Sequence, residues 1–371
     1  MFEQFLKEKS VFAEILHELL EDKGYSFGEA WQLTSESLSA VVPILKATVG
    51  NRSYIVAQEI PKDRISIIDS GHIGRLRVRM ADSMKPVFVR AGTIFKGQGT
   101  QSRAVTVGMC LEPEKESLVD VFCVHASHGI SAESHFSMER DIAPRKVEDV
   151  LTSPTKNQSR IWLAASLRKW RAQISHCPEC GSGRLMQSYD ADLVCTDCGC
   201  VVPAVSGQRN PGISLRSPSD RFADNMITNL REMNEFNQRI DDMLSKVPAD
   251  LEKQVGIVMI DSKGVYGLEM FDHPDSWRAF SKSVVRNYAD VLAKERAGQG
   301  LFTLKVERIP EAIKEFLRKA EGLSQNSVFR NKIGETRTLS GDLIGEYSTL
   351  GQDLVHLILK RNEVVGSARA R

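Results

Sequence analysis

The sequence has little net charge, no long apolar run and no motif of a known catalytic class. Its 371 residues carry 49 basic and 48 acidic side chains. The net charge of +1 therefore gives no global attraction to nucleic acid or to an anionic membrane. No apolar run is long enough to cross a bilayer. There is no nucleophile elbow, no H-E-x-x-H motif and no pair of carboxylates in a catalytic context, which lowers the expectation of an enzyme.

Cysteine is scarce, but four of the seven cysteines form two C-x2-C pairs in the middle of the chain. Each pair is followed by a glycine, which favours a tight turn that directs two sulfurs at one point. Two such turns supply four thiolates, the tetrahedral set that structural Zn2+ prefers. The predicted zinc ligands are Cys177, Cys180, Cys195 and Cys198.

The segment between the two pairs favours a zinc ribbon, which is a small hairpin pinned by the metal. Arg184–Tyr189 and Leu193–Cys195 are predicted to be strands, with Asp190–Asp192 as the turn. Because protein occupies all four coordination positions, we expect one structural zinc with no position for water or substrate. Iron in a rubredoxin-like site uses similar turns and stays open as an alternative. The odd cysteine count and the missing secretory signal favour a reducing, cytoplasmic compartment over disulfides.

The local charge differs between the ribbon and the segment before it, and this difference indicates which of the two could bind nucleic acid. Residues 174–203 contain one basic residue, Arg184, against four acidic residues, and a Zn2+ held by four thiolates adds two negative charges. Such a ribbon should be repelled by phosphate. A predicted basic helix precedes the ribbon, and its Arg168, Lys169 and Arg171 are the candidate contacts to nucleic acid. A solvated helix face is the more frequent reason for such charges.

Outside the ribbon, short apolar runs predict many strands and a few helices. Residues 2–20 are predicted to form an amphipathic helix that packs in the core. Leu118–Val124 is apolar on both alternating faces, so we expect both faces of this strand to be covered. The further predicted strands are Leu38–Leu45, Tyr54–Ala57, Ile65–Ile68, Leu76–Met80, Pro86–Val89, Ala104–Gly108, a hairpin around Asp261–Gly264, Ser327–Ile333, Glu335–Leu339 and Leu354–Leu359. The further predicted helices begin near Gln158, Ser219, Asp275 and Pro310.

These elements do not alternate regularly, which determines the predicted fold class. Strands, then helices, then strands again predict an α+β fold, a mainly antiparallel sheet domain with flanking helices that is interrupted by a small zinc-ribbon insertion. The predicted boundaries are an N-terminal helical segment at 1–36, the first part of the main domain at 37–173, the ribbon at 174–206, the second part of the main domain at 207–362 and a flexible tail at 363–371.

A polar loop with two glycines, residues 97–103, is a candidate site for a phosphate or a ribose. Its candidate ligands are Gln98, Gln101, Ser102 and Arg103, and Arg103 could grip a phosphate with two hydrogen bonds. The loop has neither a Walker lysine nor a strand–loop–helix context. A turn whose polar side chains cap backbone groups is therefore the favoured interpretation.

Histidines and single cysteines lie close to this loop in the sequence. His125 and His128, with His135 nearby, could serve as acid and base or ligate a second metal, although structural histidines are favoured. Cys110 and Cys123 lie in apolar strands and are predicted to be inert core residues.

The ribbon resembles the amino-terminal zinc ribbon of transcription factor IIB and its archaeal counterparts. The resemblance runs over about thirty residues and includes the leading C-P-E-C-G-S at Cys177 and the closing L-V-C-T-D-C-G that ends at Gly199. In that family the ribbon docks on RNA polymerase and does not read DNA. The two cyclin-like repeats of that family are absent from this chain.

The rest of the chain resembles the ARPP-type domain, named for its association with ADP-ribosylglycohydrolases and rhodanese-phosphatases. The resemblance covers roughly Leu38–Lys360 once the ribbon is removed. It rests on Val87–Arg103, Val121–His125, Gln254–Met259 and Val355–Leu357. The resemblance implies a fold and a loose association with nucleotide metabolism, without an assigned activity.

The sequence therefore predicts a non-enzymatic, zinc-binding interaction or regulatory protein. The resemblance implies that its ribbon docks on a macromolecular partner such as RNA polymerase or another part of the gene-expression machinery. One alternative is a protein that binds or processes an ADP-ribose-like nucleotide through the Gln98–Arg103 loop with His125 and His128. A second alternative is direct nucleic-acid binding through the basic residues that flank the ribbon. No membrane partner is predicted.

Overall fold

The computed structural model describes residues 10–32, 40–80, 85–97, 102–124, 134–153, 156–161, 164, 185–187, 193–195, 201–202, 251–261, 263–292 and 306–362. Its α-helices are α1 (Val11–Leu20), α2 (Arg145–Leu151), α3 (Pro274–Leu292) and α4 (Ile309–Ala320). Its strands are β1 (Tyr25–Phe27), β2 (Trp31–Gln32), β3 (Ala40–Lys46), β4 (Ile55–Val56), β5 (Ile65–Asp69), β6 (Arg75–Met80), β7 (Val87–Val89), β8 (Thr93–Gly97), β9 (Arg103–Val105), β10 (Met109–Leu111), β11 (Glu116–Cys123), β12 (Phe136–Ile142), β13 (Leu185–Gln187), β14 (Leu193–Cys195), β15 (Val201–Val202), β16 (Gln254–Asp261), β17 (Gly264–Phe271), β18 (Ser324–Arg330), β19 (Gly334–Ser340), β20 (Leu343–Leu350) and β21 (Asp353–Arg361).

A nine-stranded antiparallel sheet lies at the centre and combines strands from both sides of the predicted ribbon. Its order is β1-β3-β16-β17-β21-β20-β19-β18, and β2 also pairs with β3. Strand β3 precedes the ribbon in the chain and β16 follows it, and the two pair from Ala40 opposite Ile260 to Leu45 opposite Gln254. Residues before and after the segment 174–206, which is the predicted ribbon, therefore form one sheet.

A second, six-stranded sheet curls into a nearly closed barrel. Its order is β12-β8-β9-β11-β6-β5. The two end strands meet through an antiparallel bridge between Ile68 and His135 and through the Asp69 N–H, which donates to the Ser134 carbonyl at 3.0 Å. Closing the sheet in this way removes most of its free edges and encloses an apolar interior. A small sheet of β10, β7 and β4 lies between the barrel and the central sheet.

The two faces of the central sheet differ in chemistry, because side chains alternate along each strand. On one face, Leu268 and Met270 belong to the apolar core that includes α1 and α4. On the other face, Glu269, Glu346 and His356 are buried as well. This polar face is covered by α3, by α2 and by the small sheet beside the barrel.

Helix α1 shows how local sequence and packing agree in this fold. The Ser10 hydroxyl accepts a hydrogen bond from the Ala13 N–H at 3.2 Å and caps the first turn. The buried face of the helix includes Phe12 and Leu16, and the Phe12 ring stacks on Tyr347 of the central sheet with ring centroids 5.3 Å apart. The core assignment of this helix is confirmed over the residues that the structure describes.

The predicted α+β class is wrong, because the chain is mostly antiparallel β-sheet with few helices. The sequence prediction missed several strands that build the barrel and the sheet: β8, β10, β12 and β20. In β20, Leu343-Ile-Gly-Glu-Tyr-Ser-Thr-Leu350, glycine and polar residues interrupt the alternation. In the structure these residues are buried between layers, so the period-two pattern that identifies a half-exposed strand is absent.

The prediction that both faces of Leu118–Val124 are covered is wrong at Leu118, whereas Phe122 and Val124 on the same face pack against an apolar cluster that includes α2. This segment forms most of β11, whose inward side chains Val119, Val121 and Cys123 fill the barrel. Leu118 points outward and is 54% exposed. A barrel has one interior, so a strand in its wall is buried on one face unless another layer covers the outside.

Other predicted elements agree with the structure to within a few residues. The hairpin at Asp261–Gly264 and the helices that begin near Asp275 and Pro310 are confirmed. The helix predicted from Ser219 lies outside the described residues. Within those residues, no helix is long and apolar enough to span a membrane.

Candidate functional site

A cluster of buried charged side chains lies where the central sheet meets α2 and the small sheet. It consists of Arg90, Glu148, Glu269 and His356, which we call the seam cluster. Each of these residues is at most 3% exposed. Charged side chains this deeply buried are rare unless they are paired, and such clusters are either structural or functional.

Local structure brings these four residues together from four separate elements. Arg90 directly follows β7, and the chain then turns at Gly92, whose φ of +82° is a conformation that favours glycine. Glu148 lies in α2. Glu269 of β17 and His356 of β21 share one face of the central sheet, because Glu269 lies opposite Ile358, two residues from His356.

The Arg90 guanidinium is the hub of the seam cluster. Its Nε and Nη2 donate to the two carboxylate oxygens of Glu269 at 2.6 and 2.9 Å, which is a bidentate pair. Its Nη1 lies 2.6 Å from Glu148 Oε1 and donates to the Ala91 carbonyl at 2.7 Å. One arginine therefore neutralises carboxylates from a strand and from a helix.

Glu269 is ionised at neutral pH, and its carboxylate determines which ring nitrogen of His356 carries a proton. Burial alone would raise the pKa of Glu269, but the Arg90 charge and the hydrogen bond from His356 outweigh burial and hold the pKa well below its usual value. His356 Nε2 lies 3.1 Å from Glu269 Oε1. A carboxylate only accepts hydrogen bonds, so His356 Nε2 must carry the proton.

A second group of charges continues the seam cluster towards the surface. Asp149, which is partly exposed, forms an ion pair with Arg145, with Nε 2.9 Å from Oδ1, and accepts a hydrogen bond from Lys360 Nζ at 3.4 Å. The Arg145 Nε–H donates to the Tyr266 hydroxyl at 3.1 Å. The Arg145 guanidinium also lies over the Tyr266 ring, 4.6 Å from its centroid. Burial, and next the nearby charge of Arg145, lower the pKa of Lys360. Together these contacts tie α2 to β17 and β21.

A cavity of about 10 Å³ borders the seam cluster, and its lining includes Arg90, Glu148, Glu346 and His356. That volume is the size of a single water molecule and far below what a nucleotide needs. Glu346 Oε1 accepts from the Gly108 N–H at 2.9 Å. Glu346 Oε2 and His356 Nδ1 have no hydrogen-bond partner among the described residues. Arg90, Glu148 and Glu269 therefore form a paired, structural core, and the cavity beside them is too small for a substrate.

Within the predicted ribbon, the structure describes an antiparallel hairpin with a third strand. Strand β13 pairs with β14, with Leu185 opposite Cys195, and β14 pairs with β15. The start of β13 therefore lies beside the end of β14. The first C-x2-C pair ends at Cys180, shortly before β13, and the second begins at Cys195. Neither β13, β14 nor β15 pairs with a strand of the other described sheets.

The structure describes only part of the predicted site residues. Arg103 begins β9 and is completely buried, with Nη2 4.0 Å from Asp69 Oδ2 and its guanidinium 5.9 Å from the centroid of the Phe136 ring. Ser102 is buried beside it. For Cys195 the structure describes only the backbone. The other predicted site residues lie outside the described residues, namely Gln98, Gln101, His125, His128, Arg168, Lys169, Arg171, Cys177, Cys180 and Cys198. Among the described residues, no group of three or more His, Cys, Asp or Glu side chains could hold a metal ion.

The predicted burial of Cys110 and Cys123 is confirmed. Burial raises the pKa of the Cys110 thiol to about 12. Burial also raises the pKa of Cys123, although the Arg103 guanidinium beside it acts in the opposite direction. Both residues are therefore thiols at neutral pH and poor nucleophiles.

Sequence reasoning missed the seam cluster. The available signal was a single ionisable residue within or directly after an apolar strand, as in Val87-Phe-Val-Arg90, Leu268-Glu-Met270 and Val355-His-Leu357. A lone charge of this kind must find a partner when the strand is buried. The pattern cannot say which partner, because Arg90 and Glu269 are 179 residues apart.

Fold and site together define a mostly β protein in which buried ion pairs join a central antiparallel sheet to the layers beside a small barrel. Residues 24–360 match the model of the family described as ARG and Rhodanese-Phosphatase-superfamily-associated Protein domain, ARPP-1. The chain belongs to this family. No curated protein and no solved structure matches the chain. Membership in an associated family is consistent with a regulatory or interaction role.

Proposed function

We propose that this protein is a non-enzymatic interaction protein whose zinc ribbon docks on a macromolecular partner. By its resemblance to the transcription factor IIB ribbon, the partner belongs to the gene-expression machinery, with RNA polymerase as the first candidate. Cys177, Cys180, Cys195 and Cys198 hold the zinc in this proposal. With four protein thiolates as ligands, the metal stabilises the ribbon and has no position for a substrate.

One observation carries the proposal, the pairing of Leu185 with Cys195 across the ribbon hairpin. A tetrathiolate site needs both C-x2-C pairs at the same end of a hairpin. This register brings the start of β13, which follows the first pair, next to the end of β14, which opens the second pair. The observed backbone thus supports the required convergence of the two turns.

The charge of the ribbon indicates the kind of partner. Residues 174–203 contain four acidic residues and one arginine, and a zinc tetrathiolate would add two negative charges. A surface of this sign is repelled by a phosphate backbone and attracted to a basic protein surface. The partner is therefore a protein with a basic patch, and the ribbon is the element that contacts it.

The test compares what the intact chain and ribbon variants retain from a lysate of the native host and from purified RNA polymerase. The variants are a chain in which residues 174–206 are replaced by a short Gly-Ser linker, Cys195→Ser, and Cys200→Ser as the matched control. We expect the partner to be retained by the intact chain and by Cys200→Ser, and to be lost with the other two variants. Equal retention by the linker variant would contradict the proposal.

Nucleotide binding is the second candidate function, and one strand pairing in the barrel supports it. Arg103 lies opposite Cys123 in the pairing of β9 with β11. The predicted loop before Arg103 and the segment after Cys123, which contains His125 and His128, therefore leave the barrel at the same end. Gln98, Gln101 and the two histidines are the candidate contacts to an ADP-ribose-like ligand. Buried Ser102 and Arg103 would support the loop rather than touch the ligand.

Thermal-shift measurements with ADP-ribose test this second function. Arg103→Ala is a poor probe, because removing a fully buried guanidinium beside Asp69 would lower stability with or without a ligand. The informative comparison is between the wild type and Gln101→Ala or His128→Ala. Stabilisation of the wild type that either variant abolishes would support nucleotide binding, and no shift for the wild type at millimolar ADP-ribose would exclude it.

Direct nucleic-acid binding is the remaining alternative and rests on Arg168, Lys169 and Arg171. Binding through phosphate contacts must weaken steeply as salt rises, because each contact releases a counterion. A binding constant for single- or double-stranded DNA that does not change between about 50 and 200 mM salt would remove this alternative. A triple substitution of the three residues by glutamine should remove any salt-dependent component.

A further inference from the structure

The central sheet ends in a long strand with one unpaired edge. Strand β18, Ser324–Arg330, pairs with β19 on one side and with no other strand that the structure describes. All seven of its residues are at least partly exposed. An edge of this length presents a row of backbone N–H and C=O groups that can pair with another strand.

The chemistry of β18 contains few of the devices that usually protect such an edge. It has no proline, no lysine and no acidic residue, and its sequence is Ser-Gln-Asn-Ser-Val-Phe-Arg. The one charged residue, Arg330, lies at the end and pairs with Glu335 of its own hairpin at 2.7 Å. Val328 is 40% exposed in the middle of the strand. One irregularity of register between Ser327 and Phe329 is the only interruption in its pairing with β19.

The opposite end of the same sheet is built differently. There the outer strands are β1 and β2, which contain three and two residues. Very short edge strands offer too few backbone groups for stable pairing with a second chain. The contrast within one sheet isolates β18 as the edge that can accept another strand.

We propose that β18 pairs with β18 of a second copy of this chain, so that two central sheets join into one across a two-fold axis. The pairing is antiparallel, as a two-fold axis perpendicular to the sheet requires. Antiparallel pairing centred near Ser327 places each Arg330 opposite Ser324 of the other copy. The two arginines then lie at opposite ends of the new strand pair, whereas parallel pairing would set them side by side.

Several features make a second copy the best-matched occupant. The six residues before Arg330 carry no charge, so the edge offers no electrostatic selection for an acidic or basic peptide. Backbone hydrogen bonding is self-complementary between two identical antiparallel strands. Asn326 and Val328 would face each other across the axis, and the exposed Val328 side chain would be covered in both copies.

Light scattering coupled to size-exclusion chromatography tests the proposal on the full-length chain over a range of concentrations. We expect the wild type to have twice the mass of one chain at tens of micromolar. Val328→Lys should be a monomer, because a lysine on an edge strand must be desolvated before another strand can pair. Val49→Lys is the matched control, since Val49 is 38% exposed and lies outside the sheet edge. This control should stay dimeric.

Hydrogen exchange supplies a second measurement that does not depend on a substitution. Amides of residues 324–330 should exchange more slowly as the protein concentration rises, while amides of the short β1 should not change. A wild type that is monomeric at 50 µM would overturn the proposal. So would a Val328→Lys variant that stays dimeric, or exchange over β18 that does not depend on concentration.

Discussion

Arg90 and Glu269 form a bidentate ion pair at the seam between the small sheet and the central sheet, with Nε–Oε1 and Nη2–Oε2 distances of 2.6 and 2.9 Å. The pair is almost completely excluded from solvent. Breaking this pair should therefore cost more unfolding free energy than breaking a surface ion pair, because each partner has lost its hydration and depends on the other for compensation. The same guanidinium also contacts Glu148 of α2, so three layers converge on one side chain.

Arg90→Met should strongly destabilise the protein, because it leaves the carboxylates of Glu148 and Glu269 buried without their shared cation. Breaking a buried pair of this kind typically costs about 3–5 kcal/mol of unfolding free energy. Urea denaturation at pH 7 measures the change. Arg308→Met is the control, since the Arg308–Glu311 pair is largely exposed and should contribute little. A loss for Arg90→Met no larger than for the control would contradict the assignment.

Gly108→Ala tests the close contact between the turn before β10 and the polar face of the central sheet. An alanine Cβ at this position would lie 2.8 Å from Ser348 Oγ and 3.1 Å from Glu346 Oε1. The Gly108 N–H and carbonyl also bond to Glu346 and Thr336. We expect a loss of about 1–3 kcal/mol of unfolding free energy from overpacking. Gly322→Ala should be close to neutral, because among the described residues no atom beyond its chain neighbours lies within 4 Å of the new Cβ.

Stability should depend on pH through Glu335, which lies in β19. Burial would raise the pKa of Glu335, but hydrogen bonds from Ser327, Arg337 and Arg330 outweigh it and lower the pKa to about 2. A carboxyl whose pKa is lower in the folded state stabilises the protein above its unfolded pKa, near 4.5. That contribution disappears as the pH falls from about 4.5 towards 2.

Glu335→Gln should therefore be less stable than the wild type at pH 7, and the difference should shrink as the pH falls through this window. Urea denaturation of both chains at pH 7, 4.5 and 3 measures it, and any acid-induced loss of metal affects both chains alike. Glu311→Gln is the control, because the ion pair of Glu311 with Arg308 is largely exposed and should contribute little to stability. A Glu335→Gln difference that is constant across the three pH values would refute the assignment.

Cys195→Ser should remove the metal and unfold the ribbon while the central sheet and the barrel stay folded. Loss of one thiolate from a tetrathiolate site weakens the metal strongly, and metal binding contributes to folding of such small sites. Metal analysis of the purified chain should find one zinc per wild-type chain and per Cys200→Ser chain, and much less in Cys195→Ser. A single cooperative melting transition that drops for the whole protein in Cys195→Ser would contradict an independent ribbon.

The local elements were accessible to sequence reasoning to different degrees. The hairpin at Asp261–Gly264 and the helix α4 follow from turn residues and from a helical apolar period, which act within a few residues. The α+β prediction failed because strands such as β8 and β20 are buried within layers and lack a clean alternation. Their strand state depends on neighbours that are distant in the sequence.

The candidate sites also differ in how far they could be predicted from the sequence. The zinc-ligand prediction needs only the spacing of four cysteines, and it stays a prediction that the hairpin register supports. The structure changed the interpretation of Arg103, which the sequence assigned to a polar loop and which is buried at the start of β9. The seam cluster had no sequence signal beyond isolated charges beside apolar strands.

The amino-acid sequence by itself determined the short-range features of this protein that the structure describes, namely the amphipathic helices and the tight hairpins. The chemistry of each is contained within a few consecutive residues. Only the tertiary structure decided that β5 meets β12 to close the barrel and that Arg90 meets Glu269. These contacts join residues far apart in the chain, and they form because buried backbone and charged groups must be paired wherever the packing of the layers brings them.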